Sequence, residues 1–196
     1  MRRTLLAAAL VLVPSLALAH PGLPGHTHDL ATGFVHPLSG IDHVLAMVAV
    51  GLFAAQLGGR ALWAVPASFV AVMAAAGLAG MSGVALPLTE TGIALSIVVL
   101  GAAVALRLAL TVAAAMALVG FFAIFHGYAH GLETPQTASG LLYGAGFVAA
   151  TAALHGLGIG IGLALGRLEG AFGRNMVRVA GSAAAVVGVV MLAGAV

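Results

Sequence analysis

Apolar residues occur along this chain in long unbroken runs, and short segments between the runs hold most of the polar side chains. Runs that lack helical or strand periodicity, and that approach the ~20 residues needed to cross a bilayer, are typical of helices embedded in lipid. The pattern therefore predicts an all-α, polytopic membrane protein. Six transmembrane helices are predicted over residues 35–57, 61–81, 90–106, 108–127, 138–165 and 176–196.

The boundary between the third and fourth predicted helices depends on a single residue. Residues 92–125 form one apolar stretch that only Arg107 interrupts. Such a stretch is too long for one span. We therefore predict a tight turn around Arg107.

The N-terminal segment has the three parts of a secretory signal peptide. Arg2 and Arg3 form a basic region, a short apolar stretch follows, and Ala17 and Ala19 provide small residues for cleavage. The alternative is an uncleaved first helix. The predicted division is a signal peptide at 1–19, a His-containing periplasmic leader at 20–34, and a six-helix transmembrane domain at 35–196.

The arginine positions provide an independent test of this topology. The loops after the second and fourth predicted helices contain no Lys or Arg. The loops after the first, third and fifth contain Arg60, Arg107, Arg167, Arg174 and Arg178. Because basic loops stay in the cytoplasm, we expect a multi-pass protein of the bacterial inner membrane. Both ends of the mature chain then face the periplasm.

The composition narrows the function. The chain is 62% hydrophobic and only 6% charged, whereas soluble domains carry roughly 25% charged residues. It has no cysteine, which excludes disulfides, thiolate metal sites and cysteine nucleophiles. Without Arg2 and Arg3, five arginines balance five acids, and nothing indicates nucleic-acid binding.

Eight histidines stand out among so few polar residues. Histidine is costly inside a membrane and is the commonest side-chain metal ligand. His36 and His43 lie seven residues apart at the start of the first predicted helix, with Asp42 beside them. In a continuous helix these two imidazoles fall about 20° apart, on one face.

A second cluster lies at the end of the fourth predicted helix. His126, His130 and Glu133 have the spacing i, i+4, i+7, which gathers them within roughly 60° on a helix. Imidazoles and carboxylates suit Ni²⁺, Co²⁺, Zn²⁺ or Cu²⁺ better than Mg²⁺ or Cu⁺. For any single histidine a hydrogen bond to a neighbouring helix is the simpler interpretation, but two clusters at one membrane face favour a metal site.

Further residues are secondary candidates for metal binding. His155, near the middle of the fifth predicted helix, is either a second binding station or a packing histidine. Glu90 either joins the site or caps the third helix. The leader histidines either capture periplasmic metal or belong to an inert, solvated segment. They are His20, His26 and His28.

Two motifs resemble the signatures of a known family. His36–His43, continuing through Met47 to Gly51, resembles the first-helix signature of the HupE/UreJ family of nickel permeases, and Phe125–Glu133 resembles its second. The resemblance covers nearly the whole chain. It implies a secondary, ATP-independent Ni²⁺ permease of hydrogenase or urease systems, with Co²⁺ left open as a further substrate. It also implies functional roles for His36, Asp42, His43, His126, His130 and Glu133.

The residues by themselves predict a divalent-metal site at the periplasmic face, and the resemblance adds transport into the cytoplasm. We expect no enzymatic activity and no permanent cofactor, with Ni²⁺ as the transported substrate and the lipid bilayer as surroundings. A homo-oligomer or metalloenzyme maturation proteins are left open as partners. One alternative is a membrane-embedded metal-dependent hydrolase, since His-x₃-His-x₂-Glu can hold a catalytic zinc. The other is a metal-binding accessory or sensor protein for hydrogenase or urease assembly.

Overall fold

A computed structural model of the chain describes residues 30–134, 138–168 and 171–195. All regular secondary structure in these residues is α-helical. The predicted signal peptide, the first part of the predicted leader and the histidines His20, His26 and His28 lie outside the described residues. The helices are α1 Leu30–Ser39, α2 Ile41–Leu57, α3 Ala61–Met81, α4 Thr89–Leu106, α5 Val112–Glu133, α6 Ala138–Gly166 and α7 Phe172–Ala195.

Five helices, α3 to α7, are each long and apolar enough to cross a membrane. A sixth span is present if α1 and α2, which are separated by a sharp bend, are counted as one broken span. The structure thus confirms the predicted all-α, polytopic membrane fold. It also confirms the turn at Arg107, which has a left-handed backbone (φ 54°) directly after α4.

The fourth predicted helix extends further than its apolar run indicates. It was predicted over residues 108–127, whereas α5 runs from Val112 to Glu133. Thr111 begins this helix by accepting a hydrogen bond from the backbone N–H of Ala114 through its side chain, a common N-cap arrangement. Because α5 continues to Glu133, the whole second cluster is helical.

The prediction that His36 and His43 share a continuous helix is wrong. The chain bends by 88° between α1 and α2, and Gly40 at the junction has an extended backbone (φ −91°, ψ 115°). Pro37 within α1 has no N–H to donate. The Asp42 carboxylate accepts a hydrogen bond from the His43 N–H at 2.8 Å. This contact stabilises the first turn of α2.

Close helix packing depends on glycines at the interfaces. The most extensive contacts join α3 with α5, α4 with α7, and α2 with α6. A Cβ added at Gly101 of α4 would lie 2.6 Å from the backbone nitrogen of Ala185 and 2.7 Å from the carbonyl oxygen of Gly181, both in α7. Small residues that allow such backbone approach are typical of membrane helix interfaces.

Helix α1 is held against α6 in the same way. A Cβ at Gly33 would collide with the backbone of Tyr143, and one at Gly146 would collide with that of Leu30. Because α1 is fixed across the N-terminal part of α6, it positions His36 over the end of the bundle where α5 ends.

We predict that Gly101→Ala destabilises the fold by about 1–3 kcal/mol, because the added methyl group overpacks the α4–α7 interface. Gly160→Ala is the control, since no atom of the described residues lies within 4 Å of a Cβ at that position. It should leave stability unchanged or raise it, because alanine favours helix. Thermal unfolding in detergent micelles measures both, and equal midpoints would contradict the packing interpretation.

Candidate metal centre

Three donors converge at the end of the bundle where α2 begins and α5 ends. The Nε2 atom of His36 lies 3.0 Å from Oε2 of Glu133, and Nδ1 of His130 lies 3.3 Å from the same oxygen. Each of the three residues offers one ligand atom, and these atoms lie within 4.8 Å of one another. We call His36, His130 and Glu133 the outer cluster. Glu133 is half exposed, so the outer cluster is open to water.

A pair of buried imidazoles lies directly beneath the outer cluster. His43 of α2 and His126 of α5 are each 1% exposed, and their ring centroids are 5.4 Å apart. The His130 ring is 5.2 Å from that of His43 and 5.3 Å from that of His36. His130 therefore connects the outer cluster to this inner pair, His43 and His126.

A hydroxyl group on a neighbouring helix fixes the His126 ring. Ser96 of α4 donates its proton to the carbonyl oxygen of Ile93 at 2.6 Å, and its oxygen is 2.9 Å from Nε2 of His126. A serine hydroxyl has one proton, so here its oxygen accepts from the Nε2–H group. The lone pair of His126 is then on Nδ1. Such outer contacts orient metal-binding imidazoles and set their tautomer.

His43 has the corresponding arrangement with α6. Its Nε2 atom is 3.1 Å from the hydroxyl of Thr151, and that hydroxyl contacts the sulfur of Met73 at 3.9 Å. The contact with Thr151 fixes the His43 ring through Nε2. Nδ1 of His43 is buried and has no hydrogen-bond partner among the described residues, so it is the ring nitrogen left to bind a cation.

One face of α6 follows the histidines from the outer cluster inwards. Its residues Tyr143, Phe147, Thr151 and His155 recur at four-residue intervals. The Tyr143 ring is 5.7 Å from His36, and the Phe147 ring is 4.4 Å from His130 and 5.0 Å from His43. This face forms an aromatic wall beside the imidazoles.

Two predicted carboxylates lie apart from the three converging donors. Asp42 bonds to the backbone of His43 at the start of α2, as described above, and is not one of the donors that meet within 4.8 Å. Glu90 is exposed in the first turn of α4, where a negative charge interacts favourably with the helix dipole. In this conformation neither carboxylate joins the outer cluster.

His155 is buried in the core of the bundle and is 1% exposed. Its ring is 5.3 Å from that of Phe69 on α3, and the same Phe69 ring is 5.8 Å from that of His126. Phe69 therefore contacts both imidazoles. Neither ring nitrogen of His155 has a hydrogen-bond partner among the described residues.

Sequence reasoning did not single out the residues that support the imidazoles. Ser96 and Thr151 are polar residues within apolar spans, and the four-residue spacing from Tyr143 to His155 is visible in the sequence. These features of the sequence indicate the supporting residues before the structure is known. Phe69 gives no such signal, since an aromatic residue in an apolar span is ordinary.

A cavity of about 310 Å³ lies between α3, α5 and α6 and reaches His130. Met73, Met81 and Phe147 contribute to its mainly apolar lining. The His36 and His130 rings meet edge to face, at an interplanar angle of 88°. The cavity leaves open space beside the His130 ring.

Comparison with known proteins identifies the family. The family model described as HupE / UreJ protein matches residues 8–191. The chain belongs to the HupE/UreJ family. It is 48% identical over 188 residues to "Protein HupE" of Rhizobium leguminosarum bv. viciae, an alignment that covers 95% of each chain. No solved structure matches the chain. The family resemblance inferred from the two motifs is confirmed.

For this HupE/UreJ protein we predict that Ser96→Ala weakens Ni²⁺ binding by about 10- to 100-fold, because the His126 ring loses the group that orients it. Ser68→Ala is the matched control, since Ser68 also donates to a carbonyl three residues earlier, that of Val65. Calorimetric titration of both variants in nanodiscs measures the affinity. Equal affinities for the two variants would show that the Ser96 hydroxyl does not support a metal ligand.

Proposed function

We propose that this protein is a secondary, ATP-independent permease that carries Ni²⁺ across the bacterial inner membrane into the cytoplasm, with Co²⁺ as a second cargo. One observation carries the proposal: imidazoles from α1, α2 and α5 converge with the carboxylate of Glu133 at one end of a membrane-spanning bundle. Membership of the HupE/UreJ family supports a role in nickel or cobalt transport associated with hydrogenase or urease.

The outer cluster is suited to capture the cation. Metal–nitrogen bonds of about 2.0–2.1 Å place two ligands of one ion no more than ~4.2 Å apart, and the three donor atoms already lie within 4.8 Å of one another. Small rotamer changes in His36 and His130 therefore close the site. The Glu133 carboxylate offsets part of the cation's charge while the ion exchanges water for imidazole nitrogen.

Transfer inwards proceeds through His130. Its ring is almost equidistant from those of His36 and His43, so it can remain bound while one partner replaces the other. His43 and His126 then present their Nδ1 atoms, since Thr151 and Ser96 contact the rings through Nε2. Exchanging ligands one at a time avoids leaving a bare divalent ion in an apolar interior, where an uncompensated charge is very costly.

The arginines support the direction of transport. Arg60 directly precedes α3, and Arg107 directly follows α4. The start of α3 and the end of α4 lie at one side of the membrane, and the loop that connects α3 with α4 lies at the other. By the positive-inside rule these ends are cytoplasmic. The outer cluster at the opposite end of the bundle then faces the periplasm, and a captured cation moves from there to the cytoplasm.

We expect proteoliposomes that contain the wild-type protein to accumulate radiolabelled Ni²⁺. His36→Ala and Glu133→Gln should each reduce the uptake rate by about tenfold or more. The first change removes a nitrogen donor from the outer cluster, and the second removes its negative charge. The control is Ser82→Ala, a change to an exposed hydroxyl whose proton goes to its own helix. It should transport at the wild-type rate.

The outcome also separates the proposed permease from a protein that binds the metal without transporting it. Ni²⁺ binding by the wild type without accumulation inside the vesicles would identify a metal-binding accessory or sensor protein. Equal uptake by His36→Ala, Glu133→Gln and the wild type would exclude the outer cluster from the pathway.

The donor set also predicts selectivity. An excess of Co²⁺ of about tenfold should strongly inhibit Ni²⁺ uptake, whereas the same excess of Mg²⁺ should not, because imidazole-rich sites bind the later transition metals and Mg²⁺ prefers oxygen ligands. Competition assays in the same proteoliposomes measure this. Inhibition by Mg²⁺ equal to that by Co²⁺ would contradict an imidazole-lined pathway.

A further inference from the structure

The buried imidazole of His155 has no structural explanation in its immediate surroundings. Both ring nitrogens are buried and lack a hydrogen-bond partner among the described residues. Buried polar groups are almost always paired, and an unpaired one lowers stability. A buried side chain that is retained despite this loss of stability is a candidate for binding a transient ligand.

The backbone that carries His155 is held in place by α2. A Cβ at Gly51 of α2 would collide with the carbonyl oxygen of His155, and a Cβ at Gly158 of α6 would collide with that of Val48. Because the two helices touch through their backbones here, α6 cannot shift to give the ring a new partner. The ring therefore stays in the core beside Phe69.

His155 also continues the path of the cation. It lies four residues after Thr151 on α6, and Thr151 contacts His43. The Phe69 ring also contacts both His155 and His126. The three imidazoles of His43, His126 and His155 come from three different helices, and each is 1% exposed.

We propose that His155 is a ligand of a second, inner metal-binding station, which it completes with His43 and His126 when the Phe69 ring, which contacts both His126 and His155, moves aside. This inference rests on the proposed function. The inner station is composed of imidazoles alone, so it selects Ni²⁺, Co²⁺, Cu²⁺ or Zn²⁺ over cations that require oxygen ligands. Each divalent ion would pass from a carboxylate-containing site to a neutral, nitrogen-only one.

The test compares His155→Leu with Leu154→Met, a volume-conserving change at the adjacent buried residue of α6. We expect apo His155→Leu to unfold at or above the wild-type temperature, because it removes two unpaired nitrogens from the core. Its Ni²⁺ uptake into proteoliposomes should fall by about tenfold or more. Leu154→Met should retain wild-type uptake.

Two results would overturn the proposal. One is wild-type uptake by His155→Leu. The other is a lower unfolding temperature together with uptake that falls only in proportion to the folded fraction, which would assign His155 to packing. If His155→Leu does not fold, His155→Asn, which keeps polar groups but is a poor ligand, is compared in the same way, and normal uptake by it is equally decisive.

A binding measurement distinguishes failure of the inner station from failure of transport. Cu²⁺ is bound to the outer-cluster variant His36→Ala/Glu133→Gln, and the nitrogen splitting of its electron paramagnetic resonance spectrum reports the number of imidazole ligands. We expect adding His155→Leu to remove one nitrogen. An unchanged spectrum would overturn the proposal that His155 is a ligand, even if the wild-type protein transports Ni²⁺. Loss of one nitrogen would support that proposal, even if the wild-type protein does not transport Ni²⁺.

Discussion

The cost of placing imidazoles in an apolar interior governs this structure. A membrane-spanning bundle must satisfy its polar groups internally. The protein meets this demand only in part. Ser96 contacts one nitrogen of His126, and Thr151 contacts one nitrogen of His43. These contacts fix the two rings and leave the second nitrogen of each ring available. His155 has no such hydrogen-bond partner within the part of the chain that the structure describes. In the proposed pathway, a cation would gain most from binding at this unpaired imidazole.

The position of charge follows the same principle. A carboxylate buried without a partner is far more costly than a neutral imidazole, and Glu133 accordingly lies at the exposed end of the histidine series, within 3.3 Å of two imidazole nitrogens. Deeper in the bundle, the donors found among the described residues are the imidazoles of His43, His126 and His155. In the proposed pathway the cation would meet negative charge where it sheds water and imidazole nitrogens where it moves inwards.

The geometry of the site depends on helices that approach through their backbones. Gly33 and Gly146 seat α1 on α6, and Gly51 and Gly158 bring α2 against α6. The bend at Gly40 then directs α1 across the bundle end, which places His36 opposite α5. Without this bend, two histidines seven residues apart would line one helix, and His36 would extend away from Glu133.

Local sequence predicts the five continuous spans α3 to α7, the turn at Arg107 and the helical spacing of His126, His130 and Glu133, because span length and local helix geometry are properties of neighbouring residues. The two motifs also predict the family. The apolar run at 35–57 does not reveal the break at Gly40, since glycine and proline are tolerated inside many membrane helices and the bend depends on packing against α6. The side chains that orient the imidazoles also depend on the fold, because those contacts join residues distant in the chain.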